Sequence, residues 1–202
     1  MSENWGFADA RFPELRRAVQ RLCAHFPGSY WQRMDREKAY PSDFVQAMTD
    51  AGFLAALIPE EYGGGGASIA EASVILEEIN RSGANGGVCH AQMYVMGALL
   101  RHGSPEQKAR WLPDIAAGKL RLQAFGVTEP TAGSDTTAIQ TRAVRDGDSY
   151  RITGQKIWTS RAEHSDLLLL LARTTPAEEV ERRTQGLSLF LVDLREAPGA
   201  SL

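Results

Sequence analysis

Gly126-Val127-Thr128-Glu129-Pro130-Thr131-Ala132-Gly133-Ser134-Asp135 leaves an apolar run, Leu122 to Val127, as a turn rich in hydroxyls and glycine. Thr128, Thr131 and Ser134 offer hydroxyls, and the glycines leave backbone N–H groups open, all on one loop. Such groups bond the edge of a heterocycle or a substrate carbonyl. Pro130 fixes the chain where it leaves the apolar run. Thr128, Ser134 and Asp135 are also ordinary turn residues, so the stretch taken alone reads first as a capped turn. A second stretch, Gly154-Gln155-Lys156-Ile157-Trp158-Thr159-Ser160, sets a Trp beside two hydroxyls. An indole stacks on a planar ring and still uses its N–H. Read as a strand, the alternation puts Trp158 and Ser160 on one face and Thr159 on the other. A core Trp is the competing reading. Together the two stretches read as two edges of a pocket for a flat, polar-rimmed ring.

Upstream of the first turn the period is helical. Leu15, Val19, Leu22 and Phe26 recur at helical spacing, and Pro27-Gly28 stops them. Pro41-Ser42-Asp43 opens a second helix to about Ala51, with Gly52 as C-cap. A third follows Ser68: Ile69, Ala72, Leu76 and Ile79 mark its apolar face, and Glu71, Glu77, Glu78 and Arg81 its wet one. A fourth runs from Val88 to Arg101. The fifth starts on a Ser104-x-x-Gln107 capping box with Pro105 in first position, is kinked or split at Pro113, and ends at Gly118.

Downstream the period becomes two. Ile139, Thr141 and Ala143 alternate with polar neighbours, Asp146-Gly147-Asp148 is a hairpin turn, and Tyr150 and Ile152 resume the alternation. Leu167 to Leu171 reads as a strand buried on both faces. Pro176 to Gln185 reads as an exposed loop. Leu187 to Leu194 is a further strand with Leu187, Leu189 and Leu191 on one face. The chain is therefore α+β, with a helical domain over 1–120 and a β domain over 121–202.

The 202 residues carry a net charge of −3, with aromatics scattered and no Lys/Arg-rich track, which argues against nucleic-acid binding. Cys23 and Cys89 form no metal-binding or disulfide pattern; two reduced thiols fit a cytoplasmic chain. Met1 to Phe12 shows no apolar leader segment, and Leu167 to Ala172 is too short to span a bilayer. Gly63 to Gly66 matches neither glycine-rich phosphate-loop pattern and reads as a tight loop between helices.

The order of these motifs resembles the acyl-CoA dehydrogenase family. Its V-T-E-P-x-A-G-S-D signature matches Val127 to Asp135 at every fixed position. Its Thr-x-Ala strand, G-D-x-Y turn and G-x-K-x-W strand match Thr141-Arg142-Ala143, Gly147 to Tyr150 and Gly154 to Trp158. Ile58 to Gly64 and the Glu77-Glu78 pair match its early helical region. The resemblance implies an all-helical N-terminal domain followed by a partial, antiparallel, β-barrel-like middle domain. It implies FAD, lined by Phe125, Gly126, Val127, Thr128, Gly133 and Ser134 on one side and Trp158, Thr159 and Ser160 on the other. Thr128 and Ser160 would bond the ring's polar edge, Trp158 would pack on its face, and Ser134 would contact the acyl-CoA. The implied activity is α,β-dehydrogenation in fatty acid metabolism, with an electron-transfer flavoprotein as acceptor.

Two departures bear on this. Ser160 stands where the family usually has Thr, keeping the hydroxyl and losing a methyl. The family's catalytic Glu, with much of its FAD and oligomer interface, lies in a C-terminal helical bundle, whereas this chain ends at Leu202. The expectation is a truncated flavoprotein with no catalytic base of its own, completed by a further chain or assembled as a homo-oligomer. Glu129, Glu163 and Glu77-Glu78 read as structural or solvated acids. Two rivals remain: a flavin-dependent monooxygenase or nitroalkane-oxidase-like enzyme on the same scaffold, and a non-catalytic helical/β module.

Overall fold

A computed structural model describes residues 11–197, so most of the Met1 to Phe12 stretch read for a leader lies outside the described residues. The chain divides into two compact units, one up to Lys119 and one from Leu120 onward.

The described residues of the first unit hold six α-helices: α1 (Pro13–Cys23), α2 (Gly28–Glu37), α3 (Ser42–Asp50), α4 (Ile69–Arg81), α5 (Gly87–His102) and α6 (Pro105–Ala116). The expected capping box at Ser104 forms, and Ser68 makes a second one. Ser68 and Glu71 cap α4, and Ser104 and Gln107 cap α6, each by reciprocal side-chain bonds to backbone N–H groups. The core gathers Val19, Phe44, Val45, Met48, Leu54, Ile75, Ile79, Val88 and Met93. Phe26, Tyr30, Trp31 and Phe44 extend it in edge-to-face contacts with ring centroids 4.9–5.2 Å apart.

Four sequence expectations for this unit need correction. The Pro27-Gly28 stop is also a start: Pro27 is the N-cap of α2, a helix the sequence reading did not contain. The charged residues around Met34 hid the fact that Tyr30, Trp31 and Met34 tie it to the core. Pro113 neither splits nor ends α6, which runs unbroken through it to Ala116. In α4 the buried face is Ala72, Val74, Ile75, Glu78 and Ile79, while Ile69 is 72% exposed. Glu78, expected to be wet, is buried because α1 supplies its partners. Arg16 Nη1 lies 2.5 Å from Glu78 Oε1 and Gln20 Nε2 donates to Glu78 Oε2 at 2.7 Å. Burial would raise the Glu78 carboxyl, and Gln20 and Arg16 outweigh it and hold it low.

The glycine run is the tight loop expected. The N–H groups of Gly65, Gly66 and Ala67 donate to the carbonyls of Ala55, Ile58 and Ala56 at 3.1, 2.8 and 2.7 Å, so they are spent within the fold. A Cβ on Gly64 would come within 2.6 Å of the Ile58 carbonyl carbon, which restricts that position to glycine.

The described residues of the second unit form one five-stranded sheet: β1 (Leu122–Gly126), β2 (Arg142–Asp146), β3 (Ser149–Thr153), β4 (Leu167–Arg173) and β5 (Leu187–Asp193). β4 is central, and its Leu167, Leu169, Leu170 and Ala172 are buried. The antiparallel expectation holds for β2–β3, closed by the two-residue turn Gly147-Asp148, and for β4–β5, paired from Leu167↔Asp193 to Arg173↔Leu187. β1 pairs parallel with β4, from Leu122↔Leu167 to Gly126↔Leu170, and β2 meets β4 parallel at Arg142↔Arg173, so the sheet is mixed. The long crossovers between β1 and β4 and between β2 and β4 allow this, since a parallel pair needs a crossover rather than a tight turn. Among the described residues no helix is long and apolar enough to cross a membrane.

Candidate functional site

β1 delivers the first motif. Gly126 ends the strand against Leu168 and Leu170 of β4, and the chain then turns through Thr128 to Ser134. Glu129 and Ala132 close the turn by mutual backbone bonds, N–H to C=O, at 2.9 and 3.2 Å. The second motif is not a strand. Gly154 to Ser160 has no ladder partner, and Trp158 adopts a left-handed backbone with φ 59°. The alternation argument for Trp158 and Ser160 therefore fails, and its physical reason is local. Lys156 is drawn inward to the first motif, the Ile157 N–H donates to the Thr128 carbonyl at 2.9 Å, and the chain then turns at Trp158 and again at Arg161.

These contacts bring the two motifs together. Lys156 Nζ donates to the Val127 carbonyl at 3.0 Å and to Glu129 Oε1 at 2.8 Å. Glu129 also accepts the N–H of Gln140 at 2.6 Å and of Thr141 at 2.9 Å. Burial alone would push the Glu129 carboxyl up. The Gln140 N–H, the Lys156 ammonium and Thr141 overcome that and hold it down to about 2. Glu129 is thus the structural acid the sequence reading took it for. Lys156, quoted there only as part of a motif, is the residue that joins the two stretches. A lone Lys two residues before a Trp gave no sign of its partner.

The sequence-predicted ligand residues fall into three groups. Phe125, Val127, Thr128 and Thr159 are half-buried, and Gly126 is buried. Gly133, Ser134 and Ser160 are exposed. Trp158 is 83% exposed, so it is not the core Trp of the competing reading. A left-handed backbone is unfavourable for a bulky residue. Here it holds an indole in the open beside the seam where Ile157 meets Thr128. The hydroxyls of Thr128, Ser134 and Ser160 have no partner among the described residues. An exposed aromatic ring and uncommitted hydroxyls are the kinds of group that bind a flat heterocycle with a polar edge.

Downstream, Asp135 begins the return of the turn. It accepts the Thr137 N–H at 3.1 Å and Arg183 Nη2 at 2.7 Å, and Thr137 and Arg183 hold its carboxyl low. Among the described residues no cluster of His, Cys, Asp and Glu is arranged to hold a metal ion.

Comparison with known proteins points the same way. The family model for the acyl-CoA dehydrogenase N-terminal domain matches residues 12–119, and that for the middle domain matches residues 124–202. The chain is 36% identical over 188 residues to acyl-CoA dehydrogenase FadE12 of Mycobacterium tuberculosis, covering 93% of this chain and 47% of the relative. It is 30% identical over 202 residues to the mouse mitochondrial short-chain specific acyl-CoA dehydrogenase, covering 97% of this chain and 48% of that one. Its structure matches the crystal structure of an acyl-CoA dehydrogenase from Geobacillus kaustophilus with a TM-score of 0.85 at 31% identity, over 96% of this chain and 50% of that one. The chain spans about half the length of the curated relatives it matches.

Proposed function

This chain belongs to the acyl-CoA dehydrogenase family, and on that premise we propose that it carries the flavin- and thioester-binding half of an FAD-dependent acyl-CoA dehydrogenase. The observation that carries the proposal is the junction of the two motifs. The Ile157–Thr128 bond and the Lys156–Glu129 pair join the stretch that carries the exposed Trp158 and Ser160 to the turn that carries Thr128, which supports the reading. Trp158 would cover the face of the flavin ring. Thr128 and Ser160, with Phe125 to Val127 and Thr159, would line its edge. Ser134, at the open end of the turn beside Gly133, would meet the acyl-CoA. FAD, when bound, supplies the hydride acceptor for the β-hydrogen of the thioester.

The α-proton requires a carboxylate within hydrogen-bond reach and of suitable basicity. Glu129 does not serve: it is buried, bonded to Lys156, Gln140 and Thr141, and held at about 2. Asp135 is bonded to Thr137 and Arg183 and also held low. A base supplied from outside the residues described here, by a further segment or a partner chain, fits this reading. The expected product is a 2-enoyl-CoA, with an electron-transfer flavoprotein taking the electrons. Two buried cysteines outside any disulfide, Cys23 and Cys89, support placing the chain in the cytoplasm.

The test is product analysis. The chain is combined with FAD, an electron acceptor and a panel of acyl-CoA thioesters, alone and with the remaining half of FadE12 supplied as a second chain. Enoyl-CoA formed in the complemented sample supports the reading. No enoyl-CoA from any thioester, with oxygenated products or nitroalkane turnover instead, contradicts it.

A further inference from the structure

Arg173 closes β4 and is buried, yet no carboxylate partners it among the described residues. Its guanidinium instead gathers backbone carbonyls. Nη2 donates to Thr137 at 2.7 Å, Nε to Ile139 at 3.4 Å, and Nη1 to Gln185 at 3.3 Å and Thr175 at 3.5 Å. A buried cation balanced only by neutral carbonyls is costly, and the fold keeps it where the planar, five-donor fork of arginine is needed.

The four carbonyls belong to two segments. Thr137 and Ile139 lie on the return of the signature turn, just after Ser134 and Asp135. Thr175 and Gln185 are the two ends of the Pro176 to Gln185 loop, also fastened by Thr174 N–H and Thr175 N–H to the Gly186 carbonyl at 2.8 and 3.2 Å. That loop returns to the turn through Arg183, whose Nη2 lies 2.7 Å from Asp135 Oδ2. One buried side chain thus fixes both the turn that carries Ser134 and the strap that braces it. The Thr128 side is fixed separately, by Lys156 and Glu129.

We propose that Arg173 is a positioning residue for the thioester side of the site, setting Ser134 and Asp135 through their following carbonyls and leaving the flavin side to the Lys156–Glu129 pair. The inference rests on the acyl-CoA reading proposed above.

The experiment uses the whole chain as wild type, Arg173→Lys and Arg183→Gln. FAD affinity is read from the visible flavin spectrum. Thioester affinity is read from the perturbation of that spectrum by butyryl-CoA and octanoyl-CoA. Lysine keeps the charge but cannot reach four carbonyls. R173K is expected to weaken thioester binding about tenfold or more while FAD affinity stays within about twofold. R183Q loosens the exposed strap without disturbing the buried cluster and is expected to shift thioester binding in the same direction by about threefold. Equal loss of both ligands in R173K, or no loss of either, overturns the assignment. If R173K does not fold, an unchanged thioester affinity in R183Q overturns it. A wild-type chain that binds neither FAD nor thioester removes the site reading itself, a result distinct from any difference between variants.

Discussion

Lys156 Nζ sits 2.8 Å from Glu129 Oε1, with the two side chains only 9% and 4% exposed, and this pair joins two motifs 27 positions apart. Glu129 spends its remaining acceptor capacity on the N–H groups of Gln140 and Thr141. Lys156 spends a second donor on the Val127 carbonyl. Removing one member leaves a buried charge without its partner, a cost of roughly 3–5 kcal/mol. Lys156→Met is expected to lose about that much in urea unfolding; a loss below about 1 kcal/mol contradicts a joining role for the pair.

The same carboxylate makes stability depend on acid. Glu129 is held at about 2 against its ordinary value of 4.5, so its folded form is depressed. A depressed acid contributes stability that is fully present above the unfolded value and is lost as pH falls through the folded one. The contribution is on the order of 3 kcal/mol at neutral pH, and it drains away between about 4.5 and about 2. Glu129→Gln is expected to be less stable at neutral pH, with the gap to wild type closing across that window. A gap that stays constant or widens on acidification shows that Glu129 is not the titrating group.

What the sequence reveals of the fold and of these two stretches differs by residue. The turn at Val127 to Asp135 and the capping box at Ser104 are set by local chemistry, and local chemistry reads directly. The shape of Trp158 to Ser160 was misread because alternation presumes a ladder partner, and this segment has none. Its geometry follows from Lys156 reaching across to Glu129, a long-range contact that no local period encodes. Glu78 was misplaced for the same reason: its partners, Arg16 and Gln20, come from another helix. α2 was missed because Pro27-Gly28 serves as stop and start at once, and its core contacts, Tyr30, Trp31 and Met34, sit among polar residues.

Gln92 offers an independent check on the helical unit. It is fully buried in α5, its Nε2 reaches the Leu54 carbonyl only at 3.4 Å, and its Oε1 has no partner among the described residues. An unsatisfied buried polar group costs about 1–3 kcal/mol. Gln92→Met is expected to raise the unfolding free energy by about 1 kcal/mol or more; a decrease means that Oε1 is satisfied by a bound molecule.

Trp158 separates stability from binding. At 83% exposure it contributes little packing, and its backbone lies at φ 59°, a region glycine enters without penalty. Trp158→Ala is expected to unfold within about 0.5 kcal/mol of wild type. Trp158→Gly is expected to gain up to about 1 kcal/mol, less its added unfolded-state entropy. Thermal unfolding of both variants checks this, and a large loss in either reveals a packing role the structure does not contain.

The central claim is that Trp158, Thr128 and Ser160 together form the flavin side of the site. Titration of the purified chain with FAD, followed through the visible flavin bands, tests it most directly. The account predicts saturable one-site binding with perturbed bands, weakened about tenfold or more in Trp158→Ala and left unchanged in Trp31→Phe. A free-FAD spectrum throughout the titration, or equal affinity in wild type and Trp158→Ala, contradicts it.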